Sequence, residues 1–242
     1  MLRHVGKENP LSNNLNFTKA DLEAFGRTDT PTILNALERL MPERRHIGYT
    51  VERCISVHPD LPTRVGLART ALLRTQEAPR GSNPTLHDFG DYIAEADLPT
   101  VVLVQDVDER PGYGAFVGEV AANIYRGLGA VAYVTNGAAR DTKAIPSDFQ
   151  VVASHIVPSH THFHIFGIGS EVKVLGMQAI HDDVIAVDYH GACVIPHDAV
   201  KKLPPIIDTI MENEKKVLEF IHSPGFNSKS MREFENAMRR GG

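Results

Sequence analysis

The sequence contains no tryptophan and only two cysteines in 242 residues. Cys54 and Cys193 stand far apart, so they form neither a disulfide scaffold nor the closely spaced pairs of a zinc site. No apolar run approaches the roughly 20 residues of a membrane-spanning helix. The opening segment, Met1 to Pro10, lacks the apolar centre of a secretion signal. Internal repeats and low-complexity tracts are missing as well. Positive charge is in deficit: 25 Lys and Arg stand against 30 Asp and Glu, a net charge of −5, which argues against non-specific nucleic-acid binding. These absences point to a soluble protein of a reducing compartment, expected in the cytoplasm, with neither membrane nor nucleic acid as partner. A hydrophobic content of 42% is ordinary, and the length suffices for a substantial core.

What is present concentrates between residues 112 and 145. Gly112, Gly114 and Gly118 form a loop whose backbone can bend and approach a ligand closely. Val117, Val120, Ala121, Ile124 and Leu128 then recur at helical spacing and predict an inward stripe, ended by Gly127 and Gly129. Ala130 to Thr135 reads as a buried strand, Asn136-Gly137 as a turn, and Arg140-Asp141 follows. A helix opening on glycines offers free N–H groups and a positive dipole end to a carboxylate or phosphate. If the strand returns beside the helix, Arg140 can fork onto a carboxylate or carbonyl. Asp141 can then hold a hard divalent cation, with Glu119 in the first helical turn. Such a set suits enolate chemistry on a small keto acid. On spacing alone, the plainer reading is a βαβ unit with glycines for packing and a surface Arg-Asp pair.

Elsewhere, Thr30-Pro31 reads as a helix start with Thr30 as cap. Strands are expected at 65–75 and 101–104, and a helix over 86–96 with Phe89, Ile93 and Ala96 inward. Asp106, Asp108 and Glu109 follow the second of those strands, where a solvated loop competes with a cation site. His160, His162 and His164 alternate, and on a strand would share one face. That allows a metal reading, although a polar edge or an interface accounts for them as well. Asp182 to Pro196 reads as a hairpin, with Asp183 and Asp188 as turn or packing residues and Cys193 as a small buried hydrophobe. A long helix follows Pro204-Pro205, its stripe running from Ile206 to Ile221.

Gly118-Glu119-Val120, the Gly-Ala-Val run at 129–131, and the segment from Asn136 to Asp141 resemble the RraA-like superfamily. The resemblance runs from about Thr30 to Pro196. The superfamily includes metal-dependent 4-hydroxy-4-methyl-2-oxoglutarate aldolases, oxaloacetate decarboxylases and regulators of ribonuclease E. Glu119, twenty intervening residues and then Arg140-Asp141 is similar to the aldolase version of the pattern. The resemblance implies an α/β fold, a swivelling β/β/α domain built as a layered sandwich with a C-terminal helix. Residues 1–29 would be an N-terminal arm, 30–200 the catalytic domain, and 201–242 a helical extension at a subunit contact. It also implies a homotrimer or homohexamer, with an acid lent by a neighbour, for which Glu212 and Glu214 are candidates.

The chemistry implied by the resemblance is cleavage of a 2-keto acid to pyruvate enolate, with Mg²⁺ or Mn²⁺ held by Asp141. Amides of Gly118, Glu119 and Val120 would bind the C1 carboxylate. Arg140 would face the keto oxygen, and Glu119 would orient a proton-carrying water. Lys143 is the one lysine near the motif, and the family uses none there. Two departures stand out: Ala144 replaces an acid that often orders the metal waters, and the histidine loop is expanded. A non-catalytic regulator binding a ribonuclease, and a metal-dependent lyase or hydratase on another small acid, are the alternatives.

Overall fold

The computed structural model describes residues 15–241. Part of the expected arm, residues 1–14, lies outside them. The strands are β1 (Ile55–Ser56), β2 (Arg64–Arg74), β3 (Thr100–Asp106), β4 (Ala115–Val117), β5 (Ala130–Thr135), β6 (Ala138–Ala139) and β7 (Gln150–Ala153). After them come β8 (His155–Ile156), β9 (His164–Ile168), β10 (Val172–Val174), β11 (Met177–Ala179), β12 (Val184–Asp188) and β13 (Gly191–Ile195). The helices are α1 (Lys19–Glu23), α2 (Thr30–Leu40), α3 (Leu86–Ala94), α4 (Glu119–Gly127), α5 (Leu203–Ile221) and α6 (Ser228–Gly241). The α/β layering and the helical C-terminus are as expected. None of the described helices is long and apolar enough to cross a membrane.

The main sheet has the order β1-β7-β5-β3-β2-β12-β13, with β9 also on β2. Strands β2, β3, β5 and β7 are parallel neighbours, and β12 and β13 join antiparallel. Parallel strands covered on both faces need apolar residues at nearly every position, which is what β3 and β5 carry. Val102, Val104 and Tyr133 pack with Phe89 and Ile93 of α3 and Tyr125 of α4. The alternate residues Val101, Leu103, Ala132 and Val134 pack under the β10–β11 hairpin, against Val172, Val174 and Met177. Helices α2 and α5 cover Val184, Ala186, Cys193 and Ile195, together with Phe17, Leu22 and Phe25 from the segment read as an arm. Each large side chain fully buried here contributes about 1.5–3 kcal/mol.

Three local readings change. The cap of α2 is Asp29, whose carboxylate accepts the Thr32 amide at 3.0 Å. Thr30 is instead buried one residue later, its amide and hydroxyl both donating to Asp188, at 2.6 and 2.9 Å. Ala96 lies past the end of α3 and is only half-buried. The apolar stripe of α5 is buried only in its first half, through Leu203, Ile207 and Ile210, whereas Met211, Val217, Leu218 and Ile221 are exposed.

One buried ionic network ties three elements together. Arg69 on β2 donates to Asp182, which precedes β12, and both side chains are buried. His181 Nε2 lies 3.1 Å from Asp182, and the Tyr92 hydroxyl of α3 lies 2.7 Å from His181 Nδ1. Burial alone would raise the Asp182 carboxyl, but hydrogen bonds from His181 and Arg69, with the Arg69 charge, hold it well below the usual carboxylate range. Removing one member leaves a buried charge without its counter-charge. Arg69→Met is therefore expected to lower stability by ~3–5 kcal/mol, read as a lower urea midpoint. A carboxyl depressed on folding stabilises above its unfolded pKa, and that stability fades as pH falls below about 4. Asp182→Asn should flatten that acid limb; an unchanged limb would count against this account.

Candidate active site

Strands β4, β6 and β8 form a separate parallel sheet in the order β4-β6-β8. Its carboxyl end carries Gly118 after β4 and Arg140-Asp141 after β6. The Arg140 amide donates to Val117 O at 3.0 Å and fixes that register. A Cβ placed on Gly118 would lie 2.9 Å from Asp141 Oδ2, 3.0 Å from Arg140 Cγ and 3.3 Å from Arg140 Nε. Gly118 has an extended backbone at φ −153°, so close approach, not a left-handed turn, is what calls for glycine there.

Gly118 is also the N-cap of α4, and Ala122 is the first amide bonded back into the helix, to Gly118 O at 2.9 Å. The amides of Glu119, Val120 and Ala121 thus have no partner within the helix, and they collect beside Arg140 and Asp141 at its positive end. Asp141 sits at φ 51°, a left-handed conformation that Asp tolerates better than most residues and that clusters at functional sites. Arg140 Nε lies 3.6 Å from Asp141 Oδ2, with the two side chains 37% and 44% exposed, so both reach solvent. Glu119 is exposed in the first turn of the same helix.

A buried clamp holds the two strand ends. Asp106, at the end of β3, accepts the Gly112 amide at 2.8 Å, the Asp108 amide at 3.0 Å and the Thr75 hydroxyl at 3.3 Å. Burial pushes its carboxyl up, and the Gly112 and Asp108 amides oppose that shift. Asn136 mimics a strand partner: it accepts the Asp106 amide at 2.8 Å and donates to Asp106 O at 2.9 Å. Asp108 accepts the Thr75 and Gln76 amides at 2.6 and 2.9 Å. Asp106 and Asp108 thus turn onto backbone amides, and Glu109 alone of the acidic run is exposed. The sequence signal for this clamp was Asn136-Gly137, which reads as a turn alone.

The RraA-like model of the Aldolase/RraA family matches residues 30–194, more than half of the chain. The chain belongs to the RraA-like family. This family holds both divalent-metal-dependent aldolases and decarboxylases and inhibitors of ribonuclease E, and its members are typically oligomeric. No curated protein matches the chain significantly. Among solved structures, an uncharacterized protein from Pseudomonas syringae pv. tomato is 17% identical, covering 90% of this chain and 95% of its own, with a TM-score of 0.69. A protein described with novel cellulases from gut-associated microbes gives 18% identity, 87% and 90% coverage and 0.69. Streptomyces coelicolor RraAS2, an unusual member of the RNase ES inhibitor RraA family, gives 17% identity, 82% and 94% coverage and 0.63. At such identities these likenesses establish the RraA-like fold alone.

Two sequence readings of the site are corrected. Val120 and Ile124 do not face inward: they are 70% and 50% exposed, and Ala122 and Tyr125 make the buried side of α4. The helix starts after Gly118, with Val117 still in β4, so the inward phase belongs to Ala122. The histidines do not share a strand face. His160 and His162 lie in the turn around Thr161, and only His164 is on β9. Their ring contacts are local, His160 to Thr161 O and His164 to His162 O.

Among the described residues no group of three or more His, Cys, Asp or Glu side chains converges as a metal cage. Asp106 and Asp108 are committed to amides and Ala144 is exposed, which leaves the exposed carboxylates of Asp141, beside Arg140, and of Glu119. That donor set fits magnesium or manganese, which keep several waters, and does not fit a closed zinc site. Cys193 is buried, which pushes its thiol up to about 12, and burial raises Cys54 too, so neither is poised as a nucleophile. Gly118→Ala is expected to keep the fold and displace Asp141 and Arg140, weakening Mn²⁺ affinity by roughly tenfold or more, as for lost supporting contacts at metal sites. Electron paramagnetic resonance titration checks it; wild-type affinity in the variant would contradict the close-approach account.

Proposed function

We propose that the chain is a divalent-metal-dependent lyase that cleaves a carbon–carbon bond of a small 2-keto acid. The reaction would be that of a 4-hydroxy-2-oxo acid aldolase, an oxaloacetate decarboxylase or both. The meeting of the α4 N-terminus with Arg140 and Asp141 across Gly118 is the observation that supports this most. Asp141 would hold Mg²⁺ or Mn²⁺, which when bound supplies positive charge toward the substrate's keto oxygen and C1 carboxylate. The amides of Gly118, Glu119 and Val120 would bind the C1 carboxylate. Arg140 would stabilise charge on the keto oxygen as the C3–C4 bond breaks and its electron pair passes to C3. Glu119 would orient a water that removes the C4 hydroxyl proton, and C3 is then reprotonated to give pyruvate.

Assembly as a homotrimer or homohexamer belongs to the same proposal. The exposed apolar residues Val120 and Ile124 on α4, and Met211 and Leu218 on α5, are surfaces such an assembly would cover. Glu212 and Glu214 remain the candidates for an acid lent between subunits. Ala144, in place of an acid, favours a second reading: a regulator that binds a ribonuclease and catalyses nothing.

The readings separate in one assay. Pyruvate release from oxaloacetate and from 4-hydroxy-4-methyl-2-oxoglutarate is expected with Mg²⁺ and absent with chelator. Asp141→Ala should lower kcat by about 10²-fold or more, and Glu119→Gln should slow the aldol substrate by ~10²-fold. A folded, metal-loaded protein that releases no pyruvate from either acid would put the regulator reading first.

A further inference from the structure

A cleft of about 450 Å³ opens where the parallel strands begin, within the size range of small-molecule sites. Arg64 starts β2, Pro99 precedes β3, Gly129 precedes β5, and α1 closes the fourth side. The candidate active site lies beyond the other end of these strands. β5 alone puts about 16 Å between its start at the cleft and Thr135, where the chain turns toward β6. Gly129 sits at φ 94°, and a Cβ added there would meet nothing within 4 Å, so the space over the start of β5 is open.

The uncompensated charge in this cleft is that of Arg64. Its side chain is half-buried, its Nε is shielded from solvent, and none of its N–H groups bonds a described residue. Asp148, whose carboxyl feels the Arg64 charge, is held by Arg126 instead, at 2.9 and 2.6 Å. On the rim, Lys19 and Glu23 pair with each other at 3.5 Å and cancel. Thr63 gives its hydroxyl proton to Thr28 O. The remaining side chains of the lining, those of Leu22, Pro62, Val65, Pro99 and Val131, are apolar.

A guanidinium turned partly away from water, with no acceptor, is half of an ion pair. A carboxylate supplies the other half, because its two oxygens match the guanidinium fork. Apolar walls around that point favour hydrocarbon over a second charge. We propose that this cleft binds a small carboxylate with an apolar body, an amphipathic monoanion, with Arg64 as its principal group. The site stands apart from the lyase reading: it shares no residue with Gly118, Glu119, Arg140 or Asp141, and its ligand takes no part in that reaction.

The test titrates hexanoate into the full chain and reads binding by saturation-transfer NMR. A saturable signal is expected in wild type. Hexanamide, which keeps the body and loses the charge, should bind about tenfold or more weakly. Acetate, which keeps the charge and loses the body, should also bind about tenfold or more weakly. Arg64→Gln should weaken hexanoate by about tenfold or more, and Arg64→Lys, which keeps the charge but not the fork, should weaken it several-fold. Arg64 bonds no described residue, so both variants should keep the wild-type urea midpoint. Arg140→Gln should leave hexanoate affinity unchanged. No saturable signal, equal binding of hexanoate and hexanamide, or equal binding of hexanoate and acetate overturns the site. So does wild-type affinity in a folded Arg64→Gln variant. A loss of hexanoate binding in Arg140→Gln would place the anion at the candidate active site and overturn the proposal too.

Discussion

The buried carboxylate of Asp106 joins the large sheet to the small one. It sits at the end of β3 and accepts amides from Asp108 and Gly112 and a hydroxyl from Thr75. A carboxylate out of water is costly, and charge-assisted bonds to fixed amides offset that cost only when the donors stay in place. The clamp therefore holds those donors. Gly112 begins the loop that becomes β4, and Asn136, paired with the Asp106 backbone, begins the turn that becomes β6. The two strands that deliver Gly118 and Arg140-Asp141 thus start from one anchored point, and β4, β6 and β8 can be only two or three residues long and still keep their register.

Short strands suit the end they carry. A long strand would hold Arg140 and Asp141 in regular extended backbone, with side chains on opposite faces. The two-residue β6 instead releases the chain into the left-handed Asp141 turn at once, beside the helix start. Gly118 lets these parts approach to within a methyl group's width, and any side chain there would occupy the space between cation, carboxylate and helix amides. Rigidity behind the site and openness in front of it arise from the same packing.

The surface carries a second pattern. α4 turns Ala122 and Tyr125 to the core and leaves Val120 and Ile124 outside, and α5 leaves the second half of its stripe uncovered. Scattered exposed apolar residues need no explanation, but two amphipathic helices exposing consecutive turns of apolar side chains suit association. Family membership, with its typically oligomeric members, agrees with that.

Much of this was legible from the sequence because it depends on local chemistry. Apolar runs marked β2, β3 and β5, Pro31 marked a helix start, and strand-forming runs on either side of His190-Gly191 marked the last hairpin. The spacing of Glu119 and Arg140-Asp141 carried the family. Helical phase at α4 was not legible, because Val120 and Ile124 fit an inward stripe equally well until the start of the helix is known. Nor was the role of Asp106, since an acid among acids after a strand looks solvated unless its amide partners are known. Only tertiary structure put Gly118 against Asp141 and turned Asp106 inward. Periodicity and composition record which residues seek the core, whereas close approach and hydrogen bonding between distant segments follow from how the chain crosses itself.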